Sequence, residues 1–125
     1  MTSHTFFDSF SNAEIARISA AGTRVTLPAQ WSPIAERTPA DKAYIVLEGE
    51  LSVRRHGEEV ARLGAGDIVG EMALLQHHLR SATIVTLTRV VALHFTEEAL
   101  QGLLREVPSF AAALDLVVDQ RTSVA

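Results

Sequence analysis

Gly70, Glu71 and Arg80 are the residues whose types and spacing suit chemistry, and that chemistry is the capture of an anion carried on a sugar. Gly70 has no side chain, so another backbone or a ligand can approach it closely. The run Glu71 to Leu75 has the residues for one turn of helix, whose leading N–H groups and dipole attract negative charge. Ten residues after Gly70 stands Arg80, whose planar guanidinium can meet a phosphate through two parallel hydrogen bonds. A loop that folds back sets Arg80 over that turn. Glu71 would repel an anion unless it has another task, and accepting a hydrogen bond from a ribose hydroxyl is such a task. Amides and an arginine for phosphate, with a carboxylate for sugar, suit a nucleotide better than an inorganic anion.

These residues need a scaffold, and the chain supplies one in short runs. Ser11 followed by Glu14 is a capping box, with Phe10 and Ile15 at hydrophobic-staple spacing, so a helix is predicted over 12–21 with Gly22 as its C-cap. Ile15 and Ile18 mark its packed face, and Arg17 points outward. From 23 to 95 the pattern changes to β-prone runs broken by turn residues: Val25 and Leu27, Ala43 to Leu47, Leu51 and Val53, Val60 to Leu63, Ala82 to Leu87, and Val90 to Phe95. His56-Gly57 and the Gly64 to Asp67 stretch are the clearest turns. About eight short strands at this spacing make an antiparallel roll, jelly-roll-like, the fold class being mainly β with flanking helices. Thr96 then caps C-terminal helices over 96–121, with Glu97 and Glu98 complementing the dipole and Pro108 interrupting. The last helix carries Phe110, Leu114, Val117 and Val118 on one stripe. It is expected to dock on its own roll, with a dimer seam or a mobile lid as the other uses of that face. The stretch from Gln30 to Lys42, with prolines at 28, 33 and 39, is the least regular part.

Composition narrows the possibilities. At 125 residues and 47% hydrophobic the chain suits one well-packed domain, taken as 1–125. A formal charge of −4, with the 11 basic residues scattered, offers no broad cationic face, so direct binding to nucleic acid is not expected. The absence of cysteine removes disulfides, thiolate metal sites and cysteine nucleophiles, and suits a reducing compartment. No leader pattern opens the chain and no apolar run is long enough for a membrane span, so a soluble cytoplasmic protein with no membrane partner is expected. His77-His78 cannot easily converge on one ion, and no His-x-His with a following acid occurs, so no metal is expected. His56 and His94 lack a neighbouring acid and nucleophile at recognisable spacing, so no catalytic residues and no enzyme activity are expected.

The segment Gly70-Glu71-Met72-Ala73-Leu74, continued by Arg80-Ser81-Ala82-Thr83, resembles the phosphate-binding cassette of the cyclic-nucleotide-binding domain family, here spanning 66–83. The resemblance extends to Tyr44 through Leu51, which is similar to the family's strand-turn-strand, to Gly64 through Gly70, and to Leu103 through Pro108. It implies an eight-stranded β-roll of the catabolite-activator and kinase-regulatory-subunit kind, without a helix-turn-helix after its last helix. It also implies site roles: Glu71 for the ribose 2′-hydroxyl, Arg80 for the cyclic phosphate, and the backbone at Gly70, Met72 and Ala73 with Ser81 completing the cradle. Ser81 stands where Ser or Ala accompanies cAMP and Thr accompanies cGMP, so cAMP is the first ligand and cGMP the second. Three positions depart from the pattern: His77 replaces a frequent Gly, Leu79 the usual Pro, and Arg37 follows Glu36 where Gly is frequent. Without that proline the loop loses a fixed φ.

The expectation is a cyclic-nucleotide sensor that needs no cofactor and signals through movement of its C-terminal helix. Leu114, Val117 and Val118 are then candidates for covering the purine or meeting a second copy or an effector. The alternative is a degenerate roll that has lost its ligand and serves protein interaction or dimerisation.

Overall fold

The computed structural model describes residues 10–39, 41–70 and 79–124, with side chains described as far as 116. Its elements are α1 (Asn12–Ala21), β1 (Thr23–Leu27), β2 (Lys42–Glu48), β3 (Leu51–Arg55), β4 (Glu58–Leu63), β5 (Ile68–Val69), β6 (Thr83–Thr86), β7 (Val90–Thr96), α2 (Glu97–Glu106) and α3 (Pro108–Val124). All strand pairings are antiparallel, in a four-stranded sheet of order β1-β7-β2-β5 and a three-stranded sheet of order β4-β3-β6.

Alternation of side chains divides the core in two. On one face of the four-stranded sheet Ala43, Ile45, Ile68, Leu93 and Phe95 pack against Ile18 of α1, Leu100 and Leu103 of α2, and Phe110, Ala113 and Leu114 of α3. On its other face Tyr44, Val46, Val69, Val90 and Ala92 meet Leu51 and Ile84 of the three-stranded sheet, with Ile34. The central strands β2 and β7 are thus buried on both sides, which is why they read as nearly unbroken apolar runs. Each fully buried Ile, Leu or Phe contributes roughly 1.5–3 kcal/mol.

The ends of the elements follow local chemistry. Glu14 N–H donates to Ser11 Oγ at 3.2 Å and Ser11 N–H donates to Glu14 Oε1 at 2.8 Å, closing the expected capping box. Ala99 N–H donates to Thr96 Oγ1 at 3.1 Å at the start of α2. Between β3 and β4, His56 and Gly57 take φ of 53° and 83°, as a two-residue hairpin turn requires.

Seven strands form among the described residues, one fewer than expected. The segment from Gln30 to Thr38 runs beside β6 in place of another strand: Gln30 N–H donates to Thr86 O and Ile84 N–H to Ile34 O. Only the Ile34–Ile84 bridge there is regular. Pro33 and Pro39 cannot donate to a ladder, and Gln30 and Arg37 take positive φ, so the pairing stays irregular. The C-terminal helical region also runs on to Val124, past the expected 121.

Candidate functional site

Arg80 lies beside Gly70 because three segments converge on it. The Gly64–Asp67 turn is pinned to β2, with Gly66 N–H donating to Val46 O at 2.7 Å, Val46 N–H to Asp67 O at 2.8 Å, and Gly64 N–H to Asp67 Oδ2 at 2.8 Å. That turn feeds β5, which pairs with Tyr44 and Ile45 and delivers Gly70 to the end of the sheet. From the other side, Arg80 N–H donates to Thr38 O at 2.9 Å and Arg37 N–H donates to Arg80 O at 2.8 Å. Glu36 N–H donates to Thr83 Oγ1 at 3.0 Å and continues this lacing.

Arg80 is 5% exposed. Its Nη1 donates to Gly70 O at 2.5 Å and its Nη2 donates to Lys42 O at 2.6 Å. A charged donor on a carbonyl makes a stronger bond than a neutral one, and two such bonds hold the planar fork in one orientation. Gly70 makes this possible: its φ is +86°, and a Cβ there would stand 2.8 Å from Arg80 Nη1, 2.9 Å from Ile34 Cδ1 and 3.2 Å from Lys42 O. The neighbouring Tyr44 is buried, and burial pushes its phenol above the ordinary value of 10.0, with Asp41 adding to the rise and the positive charge of Arg80 opposing it.

Of the residues singled out from sequence, Gly70 and Arg80 are in direct contact. Ser81 follows Arg80 and is exposed, as is Leu79. Glu71, Met72 and Ala73, together with His77, His78 and the predicted turn over 71–75, lie outside the described residues. Leu114 is not at this site: it is 1% exposed in the helix-side cluster, whereas Ile34, which crowds Gly70, belongs to the cluster on the other side of the sheet. The side chains of Val117 and Val118 lie outside the described residues. Sequence reasoning did not find Lys42, Thr38 or Ile34. The first two act through backbone carbonyls, which leave no mark on residue type, and Ile34 sits in a stretch without periodicity. No three His, Asp or Glu side chains come together as a metal site among the described residues. No helix among them is long and apolar enough to cross a membrane.

The model for the cyclic nucleotide-binding domain matches residues 24–107. The chain is 41% identical over 61 residues to the cGMP-dependent protein kinase egl-4 of Caenorhabditis briggsae, a match covering 49% of this chain and 8% of the kinase. It is 34% identical over 96 residues to the cAMP-dependent protein kinase regulatory subunit of Aspergillus niger, covering 75% of this chain and 23% of that protein. Among solved structures, the catabolite activator protein of Thermus thermophilus superposes with a TM-score of 0.85 at 25% identity, covering 94% of this chain and 58% of that one. The chain therefore spans less than a quarter of the length of these two curated relatives.

Proposed function

The chain belongs to the cyclic nucleotide-binding domain family, and from that membership we propose that it is a regulatory sensor whose cassette holds the phosphate and ribose of a purine 3′,5′-cyclic nucleotide. The observation that carries this reading is the Arg80 guanidinium, buried, held by Gly70 O and Lys42 O, and so fixed before any ligand arrives. A pre-oriented fork loses less side-chain freedom on binding than a solvated one. In this reading Arg80 neutralises the phosphate, Glu71 accepts from the ribose 2′-hydroxyl, and the backbone at Gly70, Met72 and Ala73 with Ser81 lines the cradle. The cassette alone favours cAMP over cGMP, through Ser81.

A sensor changes its output only if ligand binds two conformations unequally, and α3, the last element, is the part we assign to move. Its partner would be an effector protein or a second copy of the chain, in the cytoplasm, with no catalysis of its own and no direct contact with nucleic acid. The alternative is the degenerate roll, in which the same two carbonyls hold Arg80 for structure alone.

Isothermal titration with cAMP, cGMP and 5′-AMP decides between the two. The sensor binds a cyclic nucleotide saturably and 5′-AMP much more weakly, and Arg80→Ala weakens the cyclic ligand by roughly 30- to 1000-fold. Equal affinity in Arg80→Ala and parent overturns the phosphate role. No heat at millimolar ligand establishes the degenerate roll.

A further inference from the structure

Arg80 spans the two sheets. Its fork donates to Gly70 O and Lys42 O, at the end of the four-stranded sheet. Its main chain is held from the other side by a turn over 35–38, where Arg37 N–H donates to Arg80 O and Arg80 N–H donates to Thr38 O. Thr38 closes that turn: its N–H reaches Ala35 O at 3.4 Å and its hydroxyl donates to the same oxygen at 2.6 Å. Little in the turn itself fixes its place. Arg37 sits at a φ of 66°, Pro33 and Pro39 stand on either side without N–H groups, and the Ile34–Ile84 bridge is the last regular pairing before it.

Glu36 clips the turn to the three-stranded sheet at two points. Its N–H donates to Thr83 Oγ1 on β6 at 3.0 Å, and its carboxylate accepts from His56 N–H at 3.2 Å, at the tip of the β3–β4 hairpin. The His56 ring adds little: its side chain is 76% exposed and Nδ1 lies 3.8 Å from Glu36 Oε2, a pair that solvent screens. The contact that fixes position is the backbone one, and the charge of a carboxylate only 20% exposed strengthens it. We infer that Glu36 is a positioning residue for the nucleotide site: its carboxylate holds the turn on the three-stranded sheet, the turn sets the Arg80 main chain, and the fork is thereby aligned between Gly70 and the phosphate. This assignment rests on the cyclic-nucleotide reading above. Arg80 is anchored at both ends, so a displaced turn is passed on to a fork whose paired hydrogen bonds weaken steeply with misalignment. By the same route the tip of the β3–β4 hairpin bears on affinity.

The test is titration of the full chain and of Glu36→Ala, Glu36→Gln and His56→Asn with cAMP and cGMP. Beside it, the side-chain Nε–H resonance of Arg80 is followed in the ligand-free proteins, assigned by its loss in Arg80→Ala. Glu36→Ala leaves His56 N–H without its acceptor, and is expected to weaken the tighter cyclic nucleotide by roughly 3- to 10-fold and to shift the Arg80 resonance. Glu36→Gln keeps an acceptor and His56→Asn keeps the donor, so each stays within about twofold of the parent with the resonance in place. If Glu36→Ala does not fold, Glu36→Asp, a methylene too short to reach His56 N–H, carries the result in its stead. A parent that binds while Glu36→Ala binds equally well overturns the role of Glu36 and leaves the sensor standing. So does a Glu36→Gln as weak as Glu36→Ala, or a Glu36→Ala that melts lower and binds less tightly with the Arg80 resonance unmoved, as a merely structural carboxylate would give. A parent that binds neither nucleotide overturns the sensor and the role in binding with it, while the resonance still shows whether Glu36 holds Arg80.

Discussion

At Gly70 conformation and contact coincide: φ is +86°, and a methyl group there would stand within 3 Å of Arg80 Nη1 and Ile34 Cδ1. Gly70→Ala is therefore expected to lower stability by about 1–3 kcal/mol in thermal unfolding and to weaken cyclic nucleotide in the same preparation, because relief of the clash displaces the Arg80 fork proposed to meet the phosphate. A variant that melts earlier yet binds as the parent would separate Gly70 from the site. Arg37 presents the opposite case. It holds φ at 66° without being glycine. Its N–H bonds Arg80 O, a contact that Arg37→Gly keeps. That substitution relieves the left-handed strain and loses some of the gain to a freer unfolded chain, so it is expected to stabilise by about 0.5–1 kcal/mol. That Gly70 and Arg80 lie together was legible in the sequence, because a glycine admits close approach and a loop that folds back carries Arg80 toward it. The carbonyls of Lys42 and Thr38 were not, since every residue has one.

The helices were legible where capping chemistry marks them. Ser11 and Glu14 announced α1, and Thr96 announced α2, to the residue. What the sequence did not carry is how α1 is tied to its distant neighbours. Ser109 Oγ, at the start of α3, donates to Glu14 Oε2, and Arg17 donates to Glu106 at the end of α2 across 2.8 Å. The Ser109 hydroxyl first, then the Ser11 backbone N–H and hydroxyl, hold the Glu14 carboxyl below its ordinary 4.5, and Arg17 does the same for Glu106. A carboxylate with a lowered folded value stabilises the fold above its unfolded value and loses that contribution as pH falls through the folded one. The melting temperature of Glu14→Gln is accordingly expected to lie below that of the parent at pH 7. The gap narrows as pH drops below about 4.5 and closes once Glu14 is protonated in both states. A gap that is independent of pH would show that the tie between α1 and α3 does not depend on the charge. The irregular companion of β6 was the least legible element. Prolines and two positive φ angles erase its periodicity, and its place is set by hydrogen bonds to residues some fifty positions away.

Across the whole molecule, helices, a four-stranded sheet and a three-stranded sheet are stacked, and the middle layer is shared by both clusters. Ile45 and Ile68 face the helices, while their chain neighbours Tyr44 and Val69 face the other sheet on the side of Gly70 and Arg80. The apolar runs predicted strands, but membership in one sheet or the other is a long-range property that short periodicity does not encode. Phe110, Ala113 and Leu114 are buried against Ile45 of β2 and Ile68 of β5, so these strands stand between Arg80 and α3 and are the elements through which we expect a ligand to act on it. Two measurements test that coupling together. A ligand that binds only the folded state at a hundred times its dissociation constant adds about 2.7 kcal/mol, worth roughly 10 °C in melting temperature for a chain of this size. With cyclic nucleotide at that level, hydrogen exchange in α3 is expected to change beyond the protection that global stabilisation alone confers, while β1, remote from the site at the sheet edge, changes by the global amount only. Stabilisation with α3 and β1 responding equally would mean that the roll binds nucleotide without passing the signal to its last helix. The output would then have to leave through the cassette itself, where Leu79 is already exposed.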